Sequence, residues 1–360
     1  MTVSPSRTIN MNMARALREA LREEMRRDPN VFCIGQDIGI PGGPGGAWAV
    51  AWGLEREFGQ DRIRPAPISE SAMVGAAIGA ALMGMRPVVD VSYVDFFFCA
   101  MDQIVNQAAT IGYMSGGQYR IPLVLRGPVG ATTRGAQHGH SPESFYFHVP
   151  GLKIVCPASP YDAKGLLKTA IRDDSPVFFF EHKLLYGAQQ RKGPRSLAVT
   201  EEVPTDDYTI PFGSARIRRQ GEHVTVLATL LMAHLALAAA EQLASGGISA
   251  EVIDPRTLVP FDWETLQKSL AKTGHLVIVH EDTGRGGWGA EIAARIHADC
   301  PDLLRKPVLR ITAPDTPAPC APNLENAYVP GPDRIAREIR QLLEAPAPRK
   351  NRGQTRKAVK

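Results

Sequence analysis

No run of 18 or more apolar residues occurs in the chain, so nothing in it reads as a membrane-spanning helix. The first residues, Met1 to Asn12, are polar and lack the apolar core of a secretory signal. Cysteine is sparse. Cys33, Cys99, Cys156, Cys300 and Cys320 are scattered and form no CxxC pair. That excludes a disulfide framework and a paired-cysteine zinc site, and it points to a reducing compartment, the cytoplasm. A strong excess of one charge is missing too. There are 41 Lys and Arg against 37 Asp and Glu, but Arg349, Lys350, Arg352, Arg356, Lys357 and Lys360 crowd the end of the chain. Without those six, 35 basic residues face 37 acidic ones, a near-neutral body not built for nucleic acid. Residues 345–360, opened by Ala345-Pro346-Ala347-Pro348, read as a disordered basic tail; the second reading is contact with an acidic partner or membrane.

What is present is an alternation of apolar, strand-like runs with amphipathic helices, the mark of a parallel α/β fold. At 360 residues the chain suits two such domains. The first half offers strands at 31–34, 87–91, 123–125, 152–155 and 177–180. Its helices fall near 13–27, 72–83, 96–110 and 161–172. From about Tyr186 to Asp207 periodicity vanishes, and this stretch reads as the inter-domain connection. The second half offers strands at 224–227, 250–253, 276–279 and 308–311, with a last helix near 333–343.

Several residues invite chemistry. Pro67-Ile68-Ser69-Glu70 ends in a carboxylate, and the stretch from Ser71 to Gly79 that follows is rich in Ala and Gly. A helix this lean can lie close to a neighbouring backbone. Glu70 is therefore expected at a packed, partly dried interface, where a carboxylate can serve one partner. The plainer reading is a helix-start carboxylate favoured by the dipole. His138 can act as a general acid or as a positive dipole. As a metal pair, His138-x-His140 lacks a third ligand nearby in sequence. Phe96, followed by Phe97 and Phe98, reads on its own as ordinary core. Gly284-Arg285-Gly286-Gly287-Trp288-Gly289 satisfies GxGxxG after a strand and before the helix at 290–297. The next strand, however, ends in Thr312-Ala313-Pro314 without an acid for a ribose, so we read a packing turn and not a dinucleotide site. The glycines between Ile38 and Trp48 precede no Lys-Ser/Thr pair and read as a mobile loop.

Ordered motifs connect these residues. Glu70 is followed by Asp95-Phe96 through Ala109, Tyr113-Met114-Ser115-Gly116-Gly117, Arg126-Gly127-Pro128, Gly135-Ala136-Gln137-His138, Pro150-Gly151-Leu152-Lys153, Pro160 to Leu167 and Glu181-His182-Lys183. In this order they resemble the beta subunit of the thiamine-diphosphate-dependent 2-oxoacid dehydrogenases, whose members include the pyruvate, branched-chain and acetoin dehydrogenase first components. The likeness runs from about Met11 to about Ile339. Cys156-Pro157, Leu184-Leu185-Tyr186 and Tyr208 to Gly213 lean towards the acetoin and pyruvate branches.

The resemblance implies an α/β fold of two parallel-sheet domains: a transketolase-like pyrimidine-binding domain over 1–200 and a transketolase C-terminal domain over 208–344. It implies that Glu70 reaches across a subunit interface to a ring nitrogen of the thiamine diphosphate pyrimidine and favours its imino tautomer. His138 is then expected at the mouth of the site, near substrate and an arriving lipoyl group, and Phe96 against the pyrimidine. Leu123, Ala170, Ile171, Asp173 and Ser175 are expected to offer backbone carbonyls to potassium. The Gly-Asp-Gly that holds magnesium and diphosphate in such enzymes is absent here. An alpha subunit should therefore supply it, in a heterotetramer of two alpha and two beta chains that docks a lipoyl-bearing acyltransferase. Ala72, Ser92-Tyr93 and Gly139-His140 depart from the family's usual residues. They leave open a non-catalytic scaffold subunit. A nicotinamide oxidoreductase resting on the 284–289 turn also stays open, whereas the chain length and the missing Gly-Asp-Gly disfavour a self-sufficient transketolase-like enzyme.

Overall fold

The computed structural model describes residues 7–187, 197 and 199–345. The basic tail beyond Ala345 and the segment 188–196 fall outside the described residues. In chain order the first half contains β1 (Thr8–Asn12), α1 (Met13–Arg27), β2 (Val31–Gly35), α2 (Leu54–Phe58), β3 (Ile63–Pro65), α3 (Glu70–Leu82), β4 (Arg86–Asp90), α4 (Ile111–Met114), β5 (Val124–Val129), α5 (Glu143–Phe147), β6 (Lys153–Val155), α6 (Pro160–Arg172) and β7 (Val177–His182). Then follow β8 (Thr200–Pro204), β9 (Arg216–Arg219), β10 (Val224–Ala228), α7 (Leu230–Ala244), β11 (Ala250–Asp254), β12 (Thr257–Val259), α8 (Trp263–Thr273), β13 (Leu276–Thr283), α9 (Trp288–Asp299), β14 (Leu309–Ala313), α10 (Pro322–Tyr328) and α11 (Pro332–Glu344).

Two sheets organise the chain, ordered β12-β6-β7-β5-β4-β2-β3 and β14-β13-β10-β11-β9. Each is parallel apart from one antiparallel edge strand, β12 in the first and β9 in the second. Strands β5 and β7 are buried at all six positions, as strands covered on both faces must be. The α/β expectation therefore holds, with two edges differing from a purely parallel sheet.

Local chemistry accounts for the long helices. Asn12 caps α1, its side chain accepting from the Arg15 amide at 2.9 Å, and Leu17, Ala20, Leu21 and Met25 are buried along one face. Ser159 caps α6 and Pro160 opens it. The two helices lie together, joined by the Arg172 fork on Glu24 at 3.0 and 2.6 Å.

Two elements differ from the sequence reading. The expected helix over 96–110 is instead a 3₁₀ helix over Val94–Ala100 followed by a π-helix over Asp102–Ala108. Three residues per turn fan adjacent side chains about 120° apart. That separates three consecutive phenylalanines: Phe97 goes fully into the core on Phe178, Phe96 toward His138 and Phe98 toward Tyr146. The stretch at 186–207, expected to be irregular, contains β8, which pairs antiparallel with β1.

Candidate active site

The strands β7, β5, β4 and β2 lie side by side, and the segments leaving their C-terminal ends converge. From β2 the chain moves outward to β3, whereas from β4 it moves the other way to β5. The crevice beside β2 and β4 is thus a topological switch point, where open α/β sheets place their ligands.

Gln36 follows β2 and donates from Nε2 to Glu70 Oε1 at 2.8 Å. Glu70 is the first residue of α3 and only 7 % exposed. Its other oxygen carries no hydrogen bond among the described residues. Ser92, just past β4, donates to Gln36 Oε1 at 3.3 Å. The amide of Gln36 is therefore held at both ends, and Glu70 is presented by a fixed donor. The small-residue helix of the sequence reading exists, and its first residue is buried rather than solvated.

An aromatic wall stands beside this chain of contacts. The Trp48 indole donates to the Ser92 carbonyl at 2.9 Å and stacks on Tyr186 with ring centroids 5.0 Å apart. Tyr93 meets Phe96 at 5.8 Å and His138 at 4.7 Å. Phe96 and His138 themselves meet edge to face at 5.5 Å. The structure thus brings Phe96 and His138 into contact and joins them to Glu70 through Tyr93, Ser92 and Gln36.

His138 ends a single 3₁₀ turn over Ala136–His138, where Nδ1–H donates to the Arg134 carbonyl at 3.3 Å. His140 turns elsewhere. Its Nδ1 lies 2.6 Å from Asp95 Oδ1, and that hydrogen bond raises the imidazole above its ordinary range. The two histidines thus have different partners. No group of three or more His, Cys, Asp or Glu among the described residues is placed to hold a metal.

Beneath the site, Arg126 forks onto Glu181 at 2.7 and 2.5 Å and also reaches Asp90. All three lie between β4, β5 and β7, and Tyr186 donates its hydroxyl to Glu181. Burial pushes Asp90 up to about 6 against the pull of Arg126. The second sheet also contributes. Glu281 on β13 accepts from the Ala131 amide at 2.7 Å, and burial pushes its neighbour Asp282 up to about 6. Glu143, buried between the sheets, rises to about 8 for the same reason.

The remaining expected residues lie at the other end of the first sheet. Leu123 precedes β5, and its carbonyl accepts from Val177 at 2.8 Å. The Ile171 and Asp173 carbonyls accept from Arg86 Nη1 at 3.0 and 3.1 Å. The Ala170 carbonyl accepts from the Asp173 amide at 3.3 Å, and the Ser175 amide donates to Asp173 Oδ1 at 2.8 Å. Ala170 to Ser175 make one carbonyl-rich turn at the end of α6, with Leu123 of a separate segment bonded to Val177 beyond it, but none of the five joins Glu70. The glycine turn at 284–289 links β13 to α9. A Cβ on Gly289 would come 2.9 Å from Ile278 Cγ2, so its glycine serves close helix–strand packing. Of the departures, Ala72 is exposed, and a Cβ on Gly139 would meet Ala318 Cβ at 2.9 Å.

Gln36, Trp48 and the structural role of Lys183 escaped the sequence reading. Gln36 and Lys183 each directly follow a buried apolar strand, the position that turns a side chain toward a ligand crevice. That was the signal available for them.

Comparison with known proteins fits this geometry. The family described as "Transketolase, pyrimidine binding domain" matches residues 10–189, and "Transketolase, C-terminal domain" matches 213–335. The 2-oxoisovalerate dehydrogenase subunit beta of Bacillus subtilis (strain 168) is 43% identical, over 93% of this chain and 99% of its own length. The acetoin:2,6-dichlorophenolindophenol oxidoreductase subunit beta of the same organism is 43% identical, over 94% and 98%. The mitochondrial pyruvate dehydrogenase E1 component subunit beta of Caenorhabditis elegans is 42% identical, over 92% of each chain. These identities are too close to choose a branch. A solved "Split gene transketolase, inactive beta4 tetramer" superposes with a TM-score of 0.73 over 92% of this chain and 98% of that one. At 21% identity it speaks for the fold alone.

Proposed function

The chain belongs to the beta subunits of the thiamine-diphosphate-dependent 2-oxoacid and acetoin dehydrogenases, and on that premise we propose that it carries one half of a shared active site, completed by an alpha subunit. The observation that carries this reading is the Gln36–Glu70 pair at the switch point, with the Tyr93, Phe96 and His138 rings beside it. Bound thiamine diphosphate supplies the carbanion chemistry that decarboxylates a 2-oxoacid or cleaves acetoin.

The residues present suit that cofactor. Glu70 would hold and yield a proton at a pyrimidine ring nitrogen, because Gln36 occupies one carboxylate oxygen and leaves the other for a partner. Phe96 would pack on the ring and, with Tyr93, keep water out. His138 keeps Nε2 available for a proton, or as a dipole beside developing negative charge. Magnesium and the diphosphate belong to the alpha chain in this reading. Each carbonyl of the 170–175 loop and of Leu123 keeps a second lone pair, which suits a weakly held potassium ion.

The partner reading has support in α3, which is apolar on every side. Ala72, Ala76, Gly79, Leu82 and Met83 nevertheless face outward, and Tyr113 and Met114 are exposed nearby. A helix apolar all round is ordinarily buried, so a subunit interface covers this face. We assign two alpha and two beta chains to the assembly and a lipoyl group, carried by an acyltransferase docked on residues 208–343, as the acyl acceptor. Five cysteines without a disulfide suit the cytoplasm. Among the described residues no helix is long and apolar enough to cross a membrane.

The test is thiamine diphosphate binding, with magnesium, to this chain alone and mixed with its alpha subunit. Binding only in the mixture, weakened by Glu70→Ala, is the expected result. Binding by the chain alone would overturn the split site. No binding in either state would favour the scaffold.

A further inference from the structure

The loop that carries His138 is strapped from two sides. It leaves β5 at Val129 and returns at His140, whose carbonyl accepts from the Gly130 amide at 2.9 Å. Lys183, the first residue after β7, lies under it. The ammonium donates to the Gly130 carbonyl at 2.7 Å and also to the carbonyl of His138 itself. One cation thus spans both ends of the loop. It also sits 4.9 Å from the centroid of the Tyr93 ring, the ring that meets the His138 imidazole. From the other side, two carboxylates of the second half hold the loop's amides: Glu281 takes Ala131, and Glu325 on α10 takes Thr133.

Lys183 is only 4 % exposed. A buried ammonium is costly unless hydrogen-bonded and neutralised. Here Asp95, Glu281 and Glu325 favour its charge while Arg134 opposes it, and burial brings it down to about 8. A methionine would fill the same space more cheaply in an ordinary core. The place of the charge, on the backbone oxygen of His138, needs a further reason.

We propose that Lys183 is a positioning residue which, clamped against Glu281 and Glu325 of the second half, sets the His138 imidazole over the Tyr93–Phe96 wall for the acceptor half of the reaction. The inference rests on the functional reading above. It gives the C-terminal half a task in the site beyond docking partners. Glu70 and Gln36 make no direct contact with this strap among the described residues and are linked to it only through Ser92 and Tyr93, so events at the pyrimidine side should depend on it much less. The acyl-transfer side should depend on it, because a displacement of about 1 Å of a catalytic group can cost on the order of 100-fold.

The test uses the complex reconstituted with its alpha subunit, supplied with whichever of pyruvate, 2-oxoisovalerate or acetoin supports turnover. Two rates are read: reduction of the dye 2,6-dichlorophenolindophenol, which needs no lipoyl group, and reductive acylation of a lipoyl domain. Lys183→Met should lower the lipoyl rate at least 10-fold while the dye rate stays within threefold. Lys183→Arg, which keeps a donor and a charge, should restore part of the loss. Should Lys183→Met not assemble, Glu325→Gln loosens the same strap from the far side and should show the same split. Equal losses in both rates, or no loss in either, would overturn the proposal. A wild-type complex inactive with every substrate would instead sink the parent reading, a result distinct from either.

Discussion

His182 Nε2 donates to Glu281 Oε2 at 2.8 Å, joining the end of the first sheet to the second. The other ring nitrogen accepts from the Leu184 amide at 3.1 Å, which fixes the tautomer. The imidazole presents its Nε2 corner to Gly130, where φ is +95° and an added Cβ would lie 2.0 Å from His182 Nε2. Gly130→Ala must either push the ring off Glu281 or move the loop that bears His138. A loss of about 3 kcal/mol or more is expected, through strain at positive φ and overpacking together. Thermal denaturation checks it, and a melting temperature within a degree of wild type would contradict this account.

Gln36 holds Glu70 by one bond and is itself held by Ser92. Gln36→Ala frees the carboxylate to turn while leaving it in place. We expect kcat to fall on the order of 10-fold or more, with the fold intact, since the carboxylate is kept and only its orientation is lost. Steady-state rates with a melting curve as control settle it. Unchanged kcat would mean that Glu70 is positioned by its helix alone.

Glu143 gives a pH dependence of definite sign. Its ordinary value of 4.5 rises to about 8 in the folded chain. Between those values the native state keeps a proton that the unfolded chain has released. Stability therefore falls as pH climbs from about 4.5 to about 8 and levels off above. Glu143→Gln removes this slope. Relative to wild type, the variant should gain on the order of 4 kcal/mol between pH 5 and pH 8.5. Parallel denaturation profiles for the two proteins across that range would contradict the assignment.

Arg126 stands between Asp90 and Glu181 with its guanidinium fully engaged. Arg126→Met leaves two buried carboxylates without their cation, a loss of about 3–5 kcal/mol. Arg126→Lys should recover little, because an ammonium cannot reproduce the two-pronged bond to Glu181. Chemical denaturation of the three proteins orders them, and near-equal stability of Met and wild type would show the triad to be dispensable.

The sequence disclosed the parts whose cause is local. Met13–Arg27 and Pro160–Arg172 were legible because cap, period and length agree. The apolar runs at 123–125 and 177–180, too short to be helices, marked the buried strands that the structure extends to 124–129 and 177–182. Glu70, Phe96 and His138 stood out as candidates set among ordered motifs; the structure puts Phe96 and His138 in contact and gives Glu70 the Gln36 partner. What stayed hidden depends on partners far along the chain. Lys183 reads as one residue of a motif until its two carbonyls, 45 and 53 residues upstream, are seen. Three phenylalanines in a row look helical, and only the packing of Phe97 on Phe178 selects the tighter winding. The β1–β8 pair closes over nearly 200 residues, which no local pattern announces.

The edge strand β12 has a practical consequence for anyone who divides this protein. Three residues from the second half, Thr257–Val259, pair with β6 of the first, and Arg256 adds a carbonyl for the Cys156 amide at 2.8 Å. A fragment ending near residue 207 would expose the flank of β6 as an open ladder of amides and carbonyls beside an apolar core. Such a flank invites a second copy to dock and begin an aggregate. The second half, cut free, would carry an orphan ribbon with nothing to pair against. The two sheets can be drawn apart on paper, but the polypeptide is sewn across that seam, and dissection of the enzyme should proceed by point substitution instead of truncation.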